Sequence, residues 1–301
     1  MFEQFLSSER RLCKRVGLGL DFACGLLLAV WPFPSFSQTV TAPKDDPATL
    51  RALLAPTMIP AGRPMPKDSV ALDAMLQKGD LLRLTARLRA ARTVEDIDLD
   101  LNWEQAKIYN GAGFVIGYSY MYDLWRLGSA LPPTSGDGLK QSAAMVFLYN
   151  LDLATVDGVK CADRTAPGHR ADQLFFQNKA IVEYLFAMPP SAKTQAAMIS
   201  LNIEAATAEV RTNDDVLCSG GLAEIKQGVE ENGAKPLPQI PNVPGTTGKS
   251  YAVPPAPRYR PQFVEEAIWR SKQIAARQAL PATLTHLLDQ PIDRHPVSPE
   301  K

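Results

Sequence analysis

The stretch NWEQAKIYNGAGFVIGYSYMYDLWRL, residues 102–127, decides the fold class. No residue between Lys107 and Asp123 carries a formal charge, and apolar residues recur there at helical spacings over more than one face. A helix that is apolar around most of its circumference must be enclosed by other elements. The sequence therefore predicts an all-α protein, an antiparallel helical bundle around a buried central helix at about residues 102–127.

The ends of this predicted helix carry capping signals. Asn102 and Gln105 have the spacing of a capping box, in which each side chain accepts a hydrogen bond from the backbone N–H of the other residue. Gly128, followed by a proline pair, predicts the C-terminal stop. Upstream, three aspartates alternate with apolar residues, which favours an extended segment before residue 102. The alternative is a helix that begins at Thr93, with Asp96 in its first turn.

Three glycines inside the stretch, Gly111, Gly113 and Gly117, need a reason, because each costs about 1 kcal/mol relative to alanine in a helix. Close packing of another element on the backbone is one reason. The other is a phosphate-binding turn, since GAGFVIG resembles the glycine fingerprint of short-chain dehydrogenases. That fingerprint requires a buried strand before it. The preceding residues NWEQAKIYN are too polar for such a strand, so packing is favoured.

Length and charge set broad limits on function. The chain has 301 residues, 46% of them hydrophobic and 21% charged, which is enough to bury a full-sized core in one or two domains. Basic and acidic residues number 32 each, so the net charge is zero. Such a chain has no global field that attracts nucleic acid or an anionic membrane. We therefore expect no nucleic-acid partner.

The N-terminal segment predicts export. Basic residues cluster between Arg10 and Arg15, residues 16–30 are apolar apart from Asp21, and residues 35–37 are a small-x-small cleavage site. The sequence therefore predicts a bacterial-type signal peptide over 1–37, cleaved near Ser37, and a periplasmic or secreted protein. An uncleaved anchor is the alternative, although the apolar run is shorter than the roughly 20 residues of a membrane span. We expect no transmembrane span in the mature chain.

Cysteine usage agrees with export. Two of the four cysteines lie in the predicted signal peptide, which leaves Cys161 and Cys218 in the mature chain. A single pair in an oxidising compartment is most simply one disulfide bond. On the chain-entropy model, closing a loop of about 57 residues stabilises the fold by roughly 4 kcal/mol. A reactive or metal-bound thiol is the alternative, but neither cysteine has a CxxC partner.

The helical domain is expected to span residues 38–234. It begins with short helices, the first of which is capped by Asp46 and starts with a proline. Later apolar patterns of helical period predict longer helices that pack on the central one, at 139–156, 170–188 and 192–211, followed by a short helix at 222–231.

The C-terminal region has a different organisation. Prolines recur over 235–261, which predicts a proline-rich linker. An amphipathic helix to about Leu280 follows, and Pro281 separates it from one or two further turns, giving a helical segment over 262–290. Residues 291–301 are expected to be a disordered tail. The terminal helix either docks on the domain, which the pattern favours, or binds a partner, possibly another envelope protein.

Signals for chemistry are few. The chain has three histidines and none of the motifs CxxCH, HExxH or GxSxG, so we predict no cofactor and no metal site. Glu104 and Glu183 are weak candidates for catalytic residues, because two carboxylates across a cleft can act as general acid and base on a glycan. Capping and surface roles explain both glutamates equally well.

Two functions therefore stay open after the sequence. The first is an exported, non-catalytic binding or interaction module. The second is an envelope hydrolase that cleaves cell-wall glycan with buried carboxylates. The absence of catalytic motifs favours the first, and a pocket that contains Glu104 or Glu183 would favour the second.

Overall fold

The structure is a computed structural model, and it describes residues 39–233, 235–242, 248–254 and 256–290. Helices account for 69% of this part of the chain, in eleven α-helices accompanied by two short strands. The predicted all-α class is confirmed. The predicted signal peptide, 1–37, and the predicted tail, 291–301, lie outside the described residues. Among the described helices, none combines the length and the apolar character that crossing a membrane requires.

The elements follow the chain in a simple order. Two short 3₁₀ helices, Gly158–Lys160 and Ala208–Val210, follow the sixth and ninth α-helices. Within the predicted linker, strand β1, Gln239–Ile240, pairs antiparallel with β2, Ser250–Tyr251. The α-helices are α1 Pro47–Met58, α2 Ser69–Gln77, α3 Leu81–Ala90, α4 Val94–Tyr109, α5 Phe114–Ala130, α6 Pro133–Val156, α7 Thr165–Gln177, α8 Lys179–Ala187, α9 Pro190–Thr207, α10 Leu222–Asn232 and α11 Glu266–Asp289.

The predicted central helix is two helices in the structure. The first, α4, begins after Thr93, whose Oγ1 accepts a hydrogen bond from the Asp96 N–H at 3.1 Å. The alternative start at Thr93 is therefore correct and the favoured start at residue 102 is wrong. The three alternating aspartates lie within a helix rather than in an extended segment. Helix α4 ends before Gly111, which has φ of +90° and so leaves the helical region. Helix α5 begins at Phe114.

The capping box predicted from Asn102 and Gln105 is wrong. Both side chains are buried in the middle of α4, where Asn102 Nδ2 donates to the Pro64 carbonyl at 3.0 Å and Gln105 Nε2 donates to the Thr57 carbonyl at 3.3 Å. These bonds fasten α4 to the end of α1 and to the loop after it. The spacing matched a cap because two polar residues three positions apart also lie on one face of a helix.

Helix α6, rather than the 102–127 segment, is enclosed along most of its length. Residues 142–150 of α6 are all buried. This helix packs against α5, α7, α8, α9 and α11. A helix that contacts neighbours on several sides has to be apolar on several faces, which is the property that the sequence assigned to 102–127.

Two further helix boundaries differ from the sequence prediction. The predicted helix 170–188 is broken at Asn178, the residue that follows α7. The Asn178 Nδ2 donates a hydrogen bond to the Leu174 carbonyl at 2.8 Å. Conversely, α11 continues through Pro281 to Asp289. Proline removes one helical hydrogen bond, but the residues around it, Leu280, Leu284 and Leu288, are buried and keep the second half of α11 in place.

The predicted disulfide between Cys161 and Cys218 is confirmed, with a Cα–Cα distance of 5.1 Å. It joins the segment after α6 to the segment after α9. Cys161 is also paired through the backbone with the C-terminal region: the Ala162 N–H donates to the Gln262 carbonyl at 2.9 Å, and the Val264 N–H donates to the Lys160 carbonyl at 2.8 Å. Helix α11 then packs on α6 and α9, so the predicted docking of the terminal helix is confirmed.

Candidate functional site

An open cavity of about 560 Å³ lies beside the turn between α4 and α5. Its lining is drawn from three stretches of the chain, within 76–81, 107–115 and 210–216, together with Asp157. Small-molecule sites typically occupy roughly 300–1,000 Å³, so this volume suits a small ligand. Three cationic and three anionic side chains line the cavity: Lys78, Lys107, Arg211, Asp157, Asp214 and Asp215.

Glycines allow one wall of the cavity to form. A Cβ atom on Gly111 would overlap the Val210 carbonyl, and a Cβ atom on Gly113 would overlap the Asp214 carboxylate. The segment 210–216 can therefore lie directly on the α4–α5 turn. At the next glycine, Gly117 of α5, a Cβ atom would crowd the side-chain amide of Asn150 in α6. Packing, the favoured reason for these glycines, agrees with all three positions.

Asp214 caps the start of α5. Its Oδ2 accepts a hydrogen bond from the Phe114 N–H at 2.5 Å, and its Oδ1 accepts one from the Leu217 N–H at 3.0 Å. Burial raises the pKa of Asp214, against these backbone bonds, which lower it. A phosphate would bind at the free amides of a helix N-terminus. Here a carboxylate of the chain itself occupies that position, which disfavours the phosphate-binding alternative for the glycine-rich turn.

A group of paired charges lies at the cavity and extends to α11. We call it the paired cluster and define it as Asp157, Lys160, Glu204, Arg211 and Arg277. Arg211 Nε donates to Asp157 at 2.6 Å, and its Nη2 donates to Glu204 at 2.5 Å. Lys160 lies 3.0 Å from Asp157, and Arg277 of α11 donates to Glu204 at 2.9 Å. Each carboxylate therefore has two cationic partners.

These partners determine the charge states in the paired cluster. Burial by itself would raise the pKa of Asp157, but Arg211 and Lys160 lower it below its ordinary value. The pKa of Arg211 is raised, because Asp157 and Glu204 stabilise the guanidinium against the effect of burial. The neutral Gln273 of α11 also donates to Asp157, at 2.9 Å. Asp157 is thus ionised at neutral pH, and the hydrogen bonds from Gln273 and Arg277 to Asp157 and Glu204 tie α11 to the cavity.

A second buried group carries more acid than base. We call it the acid cluster and define it as Asp100, Glu104 and Asp123 with Arg87 and Arg126. Asp100 pairs with Arg87 at 2.6 Å and Asp123 with Arg126 at 3.1 Å. Glu104 has 0% exposure, and neither of its carboxyl oxygens has a hydrogen-bond partner among the described residues.

Burial dominates the pKa values of the acid cluster. It raises the pKa of Glu104 well above the ordinary value, and the neighbouring carboxyls of Asp123 and Asp100 raise it further. It also raises the pKa of Asp123, to about 7, against the lowering effect of Arg126. Burial therefore favours the neutral form of the Glu104 carboxyl group, which α4 holds against α5.

The structure separates the two glutamates that the sequence proposed as catalytic candidates. Glu104 is enclosed in the acid cluster and Glu183 lies on the surface of α8, where its side chain is 54% exposed and 3.7 Å from Lys179. Neither residue lines the cavity. The structure thus brings together no cleft with both carboxylates on its walls.

Sequence reasoning missed the residues that shape the cavity. Asp214 and its partner Phe114 are 100 positions apart, and Arg211 and Asp157 are 54 apart. No local pattern marks such a pair. The only signal in the sequence was the unexplained glycine run, which required some element to pack closely on it.

Comparisons with known proteins supply no further assignment. No protein-family model matches the chain, and neither the curated proteins nor the solved structures contain a match to it. Function has to be argued from the site alone.

Proposed function

We propose that this chain is an exported, non-catalytic binding protein that holds a small polar ligand in the cavity beside the α4–α5 turn. The carrying observation is the cavity itself, an open space of about 560 Å³ with charged, amide and hydroxyl side chains in its lining. Convergent polar groups in a concave site are the usual features of ligand recognition.

The position of the acids supports binding over catalysis. A general acid or base has to come within hydrogen-bonding distance of its substrate. Glu104 has no exposed surface, and Glu183 lies in open solvent with Lys179 as its partner. Two of the three acids that line the cavity are engaged in structure, since Asp157 is ion-paired and Asp214 caps α5.

Export is part of the same proposal. The predicted signal peptide, 1–37, would direct the chain out of the cytoplasm, and the Cys161–Cys218 disulfide suits an oxidising compartment. The mature protein then begins at Gln38. The test is cell fractionation followed by mass spectrometry of the purified protein. We expect it in the periplasm or medium with Gln38 at its N-terminus and no free thiol, and a cytoplasmic, uncleaved chain would contradict export.

The binding test uses thermal unfolding of the mature protein with a panel of free amino acids, short peptides, sugars and nucleotides. A ligand at one hundred times its Kd should stabilise the protein by about 2.7 kcal/mol. Asn213→Trp, at an exposed position of the lining, should remove that stabilisation by filling the cavity. Thr134→Trp, at an exposed position on α6 outside the lining, is the matched control. If no compound in the panel stabilises the protein in an Asn213-dependent way, that result would contradict the proposal.

A second candidate function is partner binding by α11. Its first half carries no buried residue, and Ile268 and Ile274 are 50% and 51% exposed. We propose another envelope protein as the partner. Capture from envelope extract should weaken with Ile268→Asp and not with Arg270→Ala. These substitutions are preferable to truncation after Lys235, which would also remove Arg277 from the paired cluster.

A further inference from the structure

The charges that line the cavity differ in whether they already have partners. Lys107 is 2.5 Å from Asp73, and Arg211 is 2.6 Å from Asp157. Asp214 is occupied by the backbone N–H groups that it caps. Four of the six charged side chains are therefore engaged within the protein.

Two charges of opposite sign remain. Lys78 follows α2 and Asp215 follows the α5 cap, both are exposed, and neither forms an ion pair with another residue in the described part of the chain. The other polar side chains of the lining are uncharged: Gln77, Asn110, Thr212 and Asn213. The free charges at the cavity are thus one cation and one anion.

The whole lining carries equal numbers of cationic and anionic side chains. A ligand with only a negative charge would be attracted by Lys78 and repelled by Asp215. A ligand with only a positive charge would be attracted by Asp215 and repelled by Lys78. A ligand that carries both charges can satisfy both residues. Apolar lining residues, among them Leu76, Leu81 and Val115, add a surface for an aliphatic portion.

From these contacts we propose that the cavity binds a small zwitterion, an amino acid or short peptide, with its carboxylate at Lys78, its ammonium at Asp215 and an aliphatic side chain on the apolar lining. This inference rests on the proposed binding function and adds the chemical class of the ligand. No covalent step is involved.

The test uses the dipeptide Leu-Leu in four charge forms with the mature protein, measured by isothermal titration calorimetry at pH 6.5. The forms are the free zwitterion, the N-acetyl anion, the C-terminal amide cation and the doubly blocked neutral compound. At pH 6.5 the free amine is protonated, because an α-amino group has a pKa of about 7.7–8.0. The zwitterion should bind most tightly, and each blocked end should weaken binding by roughly two- to five-fold.

Two substitutions assign the ends of the ligand. Lys78→Ala should remove the preference for a free carboxylate and leave the preference for a free amine, whereas Asp215→Asn should do the opposite. Lys67→Ala and Asp172→Asn change exposed charges outside the lining and should alter neither preference.

The outcomes separate this inference from the proposed function. The zwitterion is overturned if all four forms bind equally, or if the preferences survive both cavity substitutions. The binding function still stands in either case, provided that Asn213→Trp blocks binding. If no peptide form binds but a sugar or nucleotide binds in an Asn213-dependent way, the zwitterion is likewise overturned and the binding function still stands. Loss of every Asn213-dependent signal overturns both.

Discussion

The carboxyl groups of the paired cluster and of the acid cluster are all buried, yet the pKa values of Asp157 and Asp123 are shifted in opposite directions. Asp157 is 5% exposed and Asp123 is 1% exposed, yet the pKa of Asp157 is lowered and that of Asp123 is raised to about 7. The difference lies in the partners. Asp157 has an arginine and a lysine at 2.6 and 3.0 Å, whereas Asp123 has one ion-paired arginine, at 3.1 Å, and the nearby Asp100 carboxyl raises its pKa. Burial sets the penalty for a charge, and the surrounding charges decide whether it is overcome.

Removing the central cation of the paired cluster should give the largest effect. Arg211→Met leaves Asp157 and Glu204 buried with one cation each, and breaking a buried pair in this way costs about 3–5 kcal/mol. Urea denaturation measures the loss. Arg270→Ala, which breaks an exposed pair with Glu266 on α11, is the control and should cost far less, because exposed i,i+4 pairs contribute little. Similar losses in the two variants would show that the paired cluster contributes no more than a surface pair.

The two clusters should also respond to pH with opposite signs. Glu104 binds its proton more tightly in the folded state, so its contribution is complete below its unfolded pKa near 4.5 and is lost as the pH rises towards the folded pKa. Relative to Glu104→Gln, the wild-type protein should therefore lose stability as the pH rises from 4.5 towards 8. Stability curves across this range measure the difference.

Asp157 supplies the opposite control for that experiment. Its folded pKa is lowered from 3.8, so its contribution is present above pH 3.8 and is lost as the pH falls through the folded pKa. The wild-type protein should lose stability relative to Asp157→Asn only below about pH 4. Parallel curves for the two variants would contradict the contrast between the clusters.

A smaller effect is expected where the paired cluster reaches α11. Arg277→Ala removes one of the two cations at Glu204 but leaves Arg211, and the Arg277 side chain is 29% exposed. We expect a loss of about 1.5–2 kcal/mol, at the low end of the range for a hydrogen bond to a charged group. Hydrogen exchange should become faster in α11 and unchanged in α4. Faster exchange throughout the protein would mean that α11 does not unfold separately.

The smallest effect should come from the surface pair of Glu183. The Lys179 and Glu183 side chains are about half exposed and 3.7 Å apart. Glu183→Gln should change the free energy of unfolding by less than about 0.5 kcal/mol, because exposed i,i+4 pairs contribute little. It should also leave ligand binding in the cavity unchanged. A clear effect on binding would instead indicate a functional role for Glu183.

The sequence was sufficient for features that depend on local signals or on simple elimination. The all-α class followed from apolar periodicity, and the Cys161–Cys218 disulfide followed because only two cysteines lie beyond the predicted signal peptide. The start of α4 was within reach, since Thr93 and Asp96 have the spacing of a side-chain cap. These signals act between residues that are close in the chain or few in number.

Features that depend on distant residues could not be predicted. The apolar spacing predicts one helix over 102–127 because spacing alone does not locate a break, and the break at Gly111 depends on the approach of Val210. The sequence selected Glu104 as an acid near the core. Its burial agrees with that, but a carboxyl group enclosed without a partner favours its neutral form and cannot face a substrate.

Three segments that are far apart in the sequence meet at Cys161. It is bonded covalently to Cys218, its neighbours pair with the backbone beside Phe263, and the residue before it, Lys160, touches Asp157 at the cavity. Oxidation of the two thiols therefore completes a junction shared by the cavity and the segment that leads into α11. A chain without the disulfide would lose a covalent link at the point where these two regions meet.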